Sequence, residues 1–313
     1  MTAGGPRAGD RTRPGTPVGA EAAGSEPLAE RGGTLYVVAT PIGNLGDITL
    51  RALEILRVVP LIAAEDTRHT RRLLDRHTVA TRTTSYHAQS DASRTAALLG
   101  HLRSGSDLAL VTDAGTPAVS DPGADLVAAW AGEGGSVVAI PGASAVLAAV
   151  VASGVSGPRW SFEGFLPRSG RERQERLRRI ADDERGTVIF EAPRRVAATL
   201  GDLATACGGD RPAAVCRELT KLHETIVRGT LAELAASANM GEIPARGEFA
   251  LVVGSWPEGR PISIEAEADA LAVAQAEVER LVAAGAARGE AAKQVAASSG
   301  LSRRQLYGAD RVR

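Results

Sequence analysis

The sequence predicts an α/β protein: two successive α/β domains followed by a small helical module. Three observations predict it. From Thr34 onward, short apolar runs alternate with helical stretches, the pattern of strands joined by helices in a mainly parallel sheet. Gly154 to Pro158 interrupts that alternation, and a second set of runs begins at Trp160. Beyond residues 254–261, a linker-like stretch, the chain becomes Ala-rich and helical.

Residues 1–32 are rich in Gly, Pro, Ala and charge without an apolar period, and are expected to form a disordered arm. The first domain, 33–154, opens with a strand at 35–39 and a turn holding Pro41, Gly43, Asn44 and Gly46. A helix at 49–59, a strand at 61–65 and a basic helix at 67–77 come next, with further strands at 83–87, 108–113 and 137–140. Residues 137–155 are uncharged and long enough to suggest a membrane span, but Pro141-Gly142 divides them into strand, turn and helix. The second domain, 158–256, carries strands at 160–165, 187–191, 213–219, 225–228 and 249–253. In residues 262–313, two short helices across a Gly-containing turn resemble a helix-turn-helix.

With 44% hydrophobic and 23% charged residues, the chain can bury a core. Its 36 basic and 37 acidic side chains sum to −1, which by itself argues against a nucleic-acid partner. The charge is segregated, however. Residues 68–82 hold Arg68, Arg71, Arg72, Arg76 and Arg82 against Asp75 alone. Residues 168–179 hold six arginines, Arg168 and Arg171 among them, against Glu172 and Glu175. Each segment suits either phosphate contact or a solvated helix face. Cys207 and Cys216 form no CxxC motif and no disulfide framework, in keeping with a reducing cytoplasm, and no signal sequence is evident. Aromatic residues make up 3% of the chain, with Trp160, Phe162, Phe165 and Phe190 gathered on two strands. They suit the core or stacking on a base.

No GxxxxGK[ST] loop, GxGxxG fingerprint, GxSxG elbow, HExxH pair or Cys/His cluster occurs, so no metal is expected. What stands at the strand ends instead is a set of Gly/Pro turns: residues 40–45, 113–117, 121–123 and 141–144. In an open α/β sheet such turns line the ligand crevice, and their glycines let main chain approach a ligand closely.

Six ordered blocks then carry a resemblance: Thr40-Pro41-Ile42-Gly43-Asn44-Leu45-Gly46-Asp47-Ile48-Thr49, Ala64-Glu65-Asp66-Thr67-Arg68, residues 112–117 with Asp121-Pro122-Gly123, Glu163-Gly164-Phe165-Leu166-Pro167-Arg168, residues 217–224, and Gly247-Glu248-Phe249. Over residues 34–307 the chain is similar to the ribosomal RNA small subunit methyltransferase I family, within the tetrapyrrole methylase superfamily. The resemblance implies S-adenosyl-L-methionine as methyl donor, bound in a cleft between two α/β domains of tetrapyrrole methylase type. It implies the ribose 2′-hydroxyl of a decoding-centre cytidine in 16S rRNA as acceptor, within the small ribosomal subunit. A cytoplasmic homodimer without membrane contact is implied too. By position in the matching turns, the donor contacts would be Pro41, Gly115, Thr116, Val119, Ser144 and Ala145, with Ala192 and Arg217 from the second domain. Arg68, Arg71, Arg72, Arg168 and Arg171 would meet RNA. The chain departs from the family pattern at Ser90 and Arg194, and the roles of those positions stay open. A tetrapyrrole C-methyltransferase is the alternative within the superfamily, though TPIGNL and AGTP replace its GxGPGD and GGDP turns. A non-catalytic RNA-binding assembly factor is the alternative outside it.

Methyl transfer to a hydroxyl needs collinear oxygen, carbon and sulfur, and a base or cation for the developing alkoxide. Asp66, His87, Glu191, Lys221 and Glu224 are candidates, with Lys221, Asp66 and Glu224 foremost. Lys221 stands out because only it and Lys293 are lysines in an arginine-rich chain. An ion pair of Lys221 with Glu218 or Glu224 fits equally, and Asp66 or Thr67 also fits a helix N-cap.

Overall fold

A computed structural model describes residues 32–90, 92–256, 264–299, 301 and 303–306. The expected N-terminal arm lies outside the described residues. The chain divides into two compact units, one comprising the residues up to Val151 together with Arg217–Thr225, the other the remainder.

The first unit runs β1 (Leu35–Val38), α1 (Leu50–Val58), β2 (Leu61–Ala64), α2 (Thr67–Arg76), β3 (Thr83–Ser85), α3 (Ala92–Arg103), β4 (Leu108–Val111), α4 (Ala124–Gly132), β5 (Val137–Ile140) and α5 (Ala145–Ser153). Its sheet has the order β3-β2-β4-β1-β5, with parallel pairing throughout. Side chains alternate across a strand, so β1, β2, β4 and β5 each feed two cores. Val38, Ile62, Ala64, Ala109, Val111 and Ile140 pack beneath α1 and α2. Leu35, Val37, Ala63, Leu108 and Leu110 pack against α3 and α4. β5 is an edge strand, and the uncharged α5 after it leaves Leu147 and Val151 53% and 82% exposed. Residues 137–155 are thus strand, turn and helix, and no described helix is long and apolar enough to cross a membrane.

The second unit contains β6 (Trp160–Phe165), α6 (Gly170–Asp182), β7 (Gly186–Glu191), α7 (Val196–Cys207), β8 (Pro212–Arg217), β9 (Thr225–Thr230), α8 (Leu231–Asn239) and β10 (Phe249–Val253). Its sheet order is β6-β7-β10-β8-β9, mixed in sense: β6 is parallel to β7, and β10 antiparallel to it. α6, α7 and α8 share one core with Ile189, Ala213, Val215, Leu251 and Val253. The buried Arg211 guanidinium ties loops to that core. It donates to the carbonyls of Gly254, Ile180, Asp183 and Arg185 and lies over the Trp256 ring. Helices α9 (Ile264–Ala283), α10 (Arg288–Ser299) and α11 (Arg303–Leu306) enclose a core of their own, built on Ala274, Val278, Ala291, Ala292, Val295 and Leu306.

Several strands end before their sequence suggests: 35–39 and 61–65 stop one residue early, 83–87 at Ser85 and 108–113 at Val111, and one early stop has a visible backbone cause. The run 213–219 stops at Arg217, because Glu218 takes a left-handed backbone with φ 53°. Residues 217–225, expected in the second domain, then pack as part of the first unit.

Candidate active site at the strand ends of the first unit

β1 lies between β4 and β5, so the turns that follow these three parallel strands lie side by side. Hydrogen bonds join them. Thr40 N–H donates to the Gly115 carbonyl at 2.8 Å, Gly115 N–H returns the bond at 3.1 Å, and the buried Thr40 hydroxyl donates to the Thr112 carbonyl. The Thr116 hydroxyl reaches the Ala143 carbonyl of the turn after β5. Pro41, Gly115, Thr116, Val119, Ser144 and Ala145 therefore gather along one sheet edge, as their positions in the sequence suggest. The loop is strained: besides Gly115 and Gly123, the non-glycine residues Ala118 and Ser120 hold φ of 68° and 64°. Such conformations cost ~1 kcal/mol or more each and cluster at functional sites. Pro141 and Gly142 are exposed at the strand end.

A carboxylate group adjoins these turns. Asp113 N–H donates to Glu65 at 3.3 Å, and Asp66 N–H donates to Asp113 Oδ1 at 3.1 Å. Burial first, and the Glu65 carboxylate second, push Asp121 up to about 6. In the sequence Asp121 shows only as the first residue of an Asp-Pro-Gly turn, ten residues beyond the end of β4. No described Asp, Glu, His or Cys residues form a metal-holding group. Asp66 caps α2, accepting the Arg68 N–H at 2.8 Å, and pairs with the Arg68 guanidinium. Those bonds hold its carboxyl at about 2, which leaves it little capacity to accept a proton at neutral pH. Arg72 and Arg76 are exposed on α2, while Arg71 is half-buried and points to the Thr81 carbonyl. His87 is exposed; its Nδ1 accepts the Gln89 N–H, and Ser90 Oγ accepts the His87 N–H, which gives Ser90 a local turn-closing role.

Lys221 also belongs to this unit. Its ammonium donates to Glu218 Oε1 at 2.9 Å, the ion-pair arrangement that its sequence allows. Glu224 accepts the Thr220 N–H at 2.7 Å. Arg217, assigned by its motif to the second domain, is buried with this segment and donates to the His223 carbonyl.

In the second unit, Ala192 follows β7, and its N–H donates to Glu191. Glu191 is buried and saturated by Ala192, the Thr199 hydroxyl and Arg195, so it is a structural carboxylate rather than a base. Arg194 is exposed. The 168–179 segment is less available to phosphate than its charge suggests. Arg168 and Arg171 are exposed, Arg171 pairing with Glu175, but Arg173 is buried on Asp202, Thr199 and the Pro167 carbonyl, and Arg176 pairs with Glu163. Phe162, Phe165 and Phe190 meet edge to face, leaving Phe165 54% exposed.

The first sheet's order and the loops at its strand ends define a class. The family model described as tetrapyrrole (corrin/porphyrin) methylases matches residues 34–235. Solved structures share the fold at 20% identity. A cobalt precorrin-4 methyltransferase of cobalamin biosynthesis covers 71% of this chain and 94% of its own, with a TM-score of 0.55. The Thermus thermophilus uroporphyrin-III C-methyltransferase complexed with S-adenyl homocysteine covers 71% and 97%, with a TM-score of 0.52. The ribosomal RNA small subunit methyltransferase I of Synechocystis is 48% identical over 276 residues, 88% of this chain and 96% of its own. The chain belongs to the tetrapyrrole methylase family and, within it, to the ribosomal RNA small subunit methyltransferase I group.

Proposed function

We propose that the chain transfers a methyl group from S-adenosyl-L-methionine to the ribose 2′-hydroxyl of a cytidine in the decoding centre of 16S rRNA. The donor fits the residues present. Exposed backbone at Pro141–Gly142 suits a ligand held by main chain, the Thr40–Gly115 bonds fix the neighbouring turn, and Glu65, Asp113 and Asp121 supply a negative field suited to a cation. Pro41, Gly115, Thr116, Val119, Ser144 and Ala145 would hold it, with Arg217 of the same unit a further contact. Once bound, it supplies an electrophilic methyl group on a sulfonium. The chain's own task is to orient the hydroxyl and stabilise the charge that develops on its oxygen.

One observation carries the acceptor side: Lys221 is held against the turn after β1, beside the donor turns. Its ammonium stabilises the negative charge that develops on the hydroxyl oxygen as the hydroxyl proton leaves to water, with Glu218 its counter-ion in the resting state. Glu224 shapes the segment through the Thr220 amide, and Asp66 orients Arg68. Arg68, Arg71 and Arg72, with Arg168 and Arg171, are the phosphate contacts. A second copy of this chain covers the exposed apolar face of β5 and α5. Labelled donor with either 16S rRNA or small subunits tests the activity: label enters RNA with wild-type chain and falls steeply with Lys221→Ala. Label in an added uroporphyrin but not in RNA overturns the reading.

A further inference from the structure

Residues 217–225 join β8 to β9 yet group with the first unit, and their backbone needs outside support. Glu218 and Thr220 both hold left-handed conformations, φ 53° and 65°, and for a β-branched threonine this is a genuine outlier. The compensation is a seat on the turn after β1. The Thr220 hydroxyl accepts the Asn44 N–H at 3.2 Å. A Cβ on Gly43 would lie 2.4 Å from Lys221 Cγ, 3.0 Å from its Cε and 2.9 Å from Thr220 Oγ1, so the lysine stem lies directly across the glycine. Within the segment, Thr220 N–H donates to Glu224, Lys221 N–H to the Glu218 carbonyl, and Glu224 N–H to the Lys221 carbonyl.

We propose that Gly43 and Thr220 form a latch that fixes the Lys221 ammonium beside the donor turns, and that both are positioning residues for methyl transfer. This rests on the reading of Lys221 given above. A lysine stem is rich in rotamers, and one packed at Cγ and Cε has lost much of that freedom before substrate arrives. Gly43 is required because any side chain occupies the stem's place. Thr220 is required because its hydroxyl is the acceptor that joins the two loops.

A double-mutant cycle tests the latch. Rates on 16S rRNA at saturating donor are compared for Thr220→Val, Thr220→Ser and Gly43→Ala, each with Lys221 and with Lys221→Ala. With Lys221 present, Thr220→Val and Gly43→Ala lower kcat by about 10-fold or more and change KM for RNA by less than about 2-fold. Thr220→Ser, which keeps the acceptor, restores the rate to within about 3-fold of wild type. In the Lys221→Ala background the same changes cost nothing further, because they act through the lysine. A wild-type kcat for Thr220→Val, or full additivity with Lys221→Ala, overturns the latch while leaving Lys221 in its role. A wild-type rate for Lys221→Ala itself overturns the underlying reading and the latch with it. Thermal unfolding accompanies each variant; if Gly43→Ala does not fold, Thr220→Val and Thr220→Ser decide.

Discussion

At the scale of single residues, the carboxylates of the first unit show how neighbouring groups divide their roles. Asp66 and Asp121 start from the same chemistry and end about four pH units apart, at about 2 and about 6. Arg68 favours the charged form of the first; burial and Glu65 disfavour the charged form of the second. The consequence for stability has a definite sign. The folded value of Asp121 lies above the unfolded carboxylate value of about 3.9, so the native state binds the extra proton between roughly pH 4 and 6. Stability therefore falls as pH rises through that window. Asp121→Asn is expected to raise stability by about 1 kcal/mol at pH 8, after allowance for partial solvent screening, and hardly at all at pH 4. Urea unfolding at the two pH values measures both. None of this is legible in the sequence, where Asp121 is one member of an Asp-Pro-Gly turn. Glu191 is the converse: prominent in the sequence as a strand-end acid, it is consumed by Thr199, Ala192 and Arg195.

At the scale of elements, the strands that read most clearly are those whose limits chemistry enforces. β6 and β10 occupy the ranges their apolar runs suggest, bounded by turn residues. β8 does not, because the left-handed turn at Glu218 and Thr220 is made by residues with no intrinsic preference for it. Only the tertiary seat on Gly43 reveals it. Arginines divide likewise by element. On α2, Arg72 is exposed, and Arg72→Ala is expected to weaken RNA binding while making the dependence of log affinity on log salt shallower by about 0.7. Salt titrations of binding to a 16S fragment measure the slope. On α6, Arg173 is buried, so its charge supports the fold. Arg211 is the extreme case: its planar fork serves four carbonyls at once. Arg211→Lys leaves several of them unpaired and is expected to cost about 3 kcal/mol, read from the unfolding midpoint.

At the scale of the whole molecule, a net charge of −1 conceals arginines sorted into exposed and buried sets. The edge strand β5 and the apolar face of α5 present a surface of the kind proteins cover. Val151→Glu is expected to leave the fold intact and shift sedimentation from dimer to monomer, since Val151 makes little contact within its own chain. A monomeric wild type contradicts that expectation. The reaction is defined by the atom that receives the methyl group. Its most direct measurement is mass spectrometry of nucleosides from 16S rRNA and from small subunits after incubation with chain and donor. The expected product is 2′-O-methylcytidine at a single position in one or both substrates, lost with Lys221→Ala. Base-methylated cytidine, or no methylated nucleoside from either substrate, contradicts it.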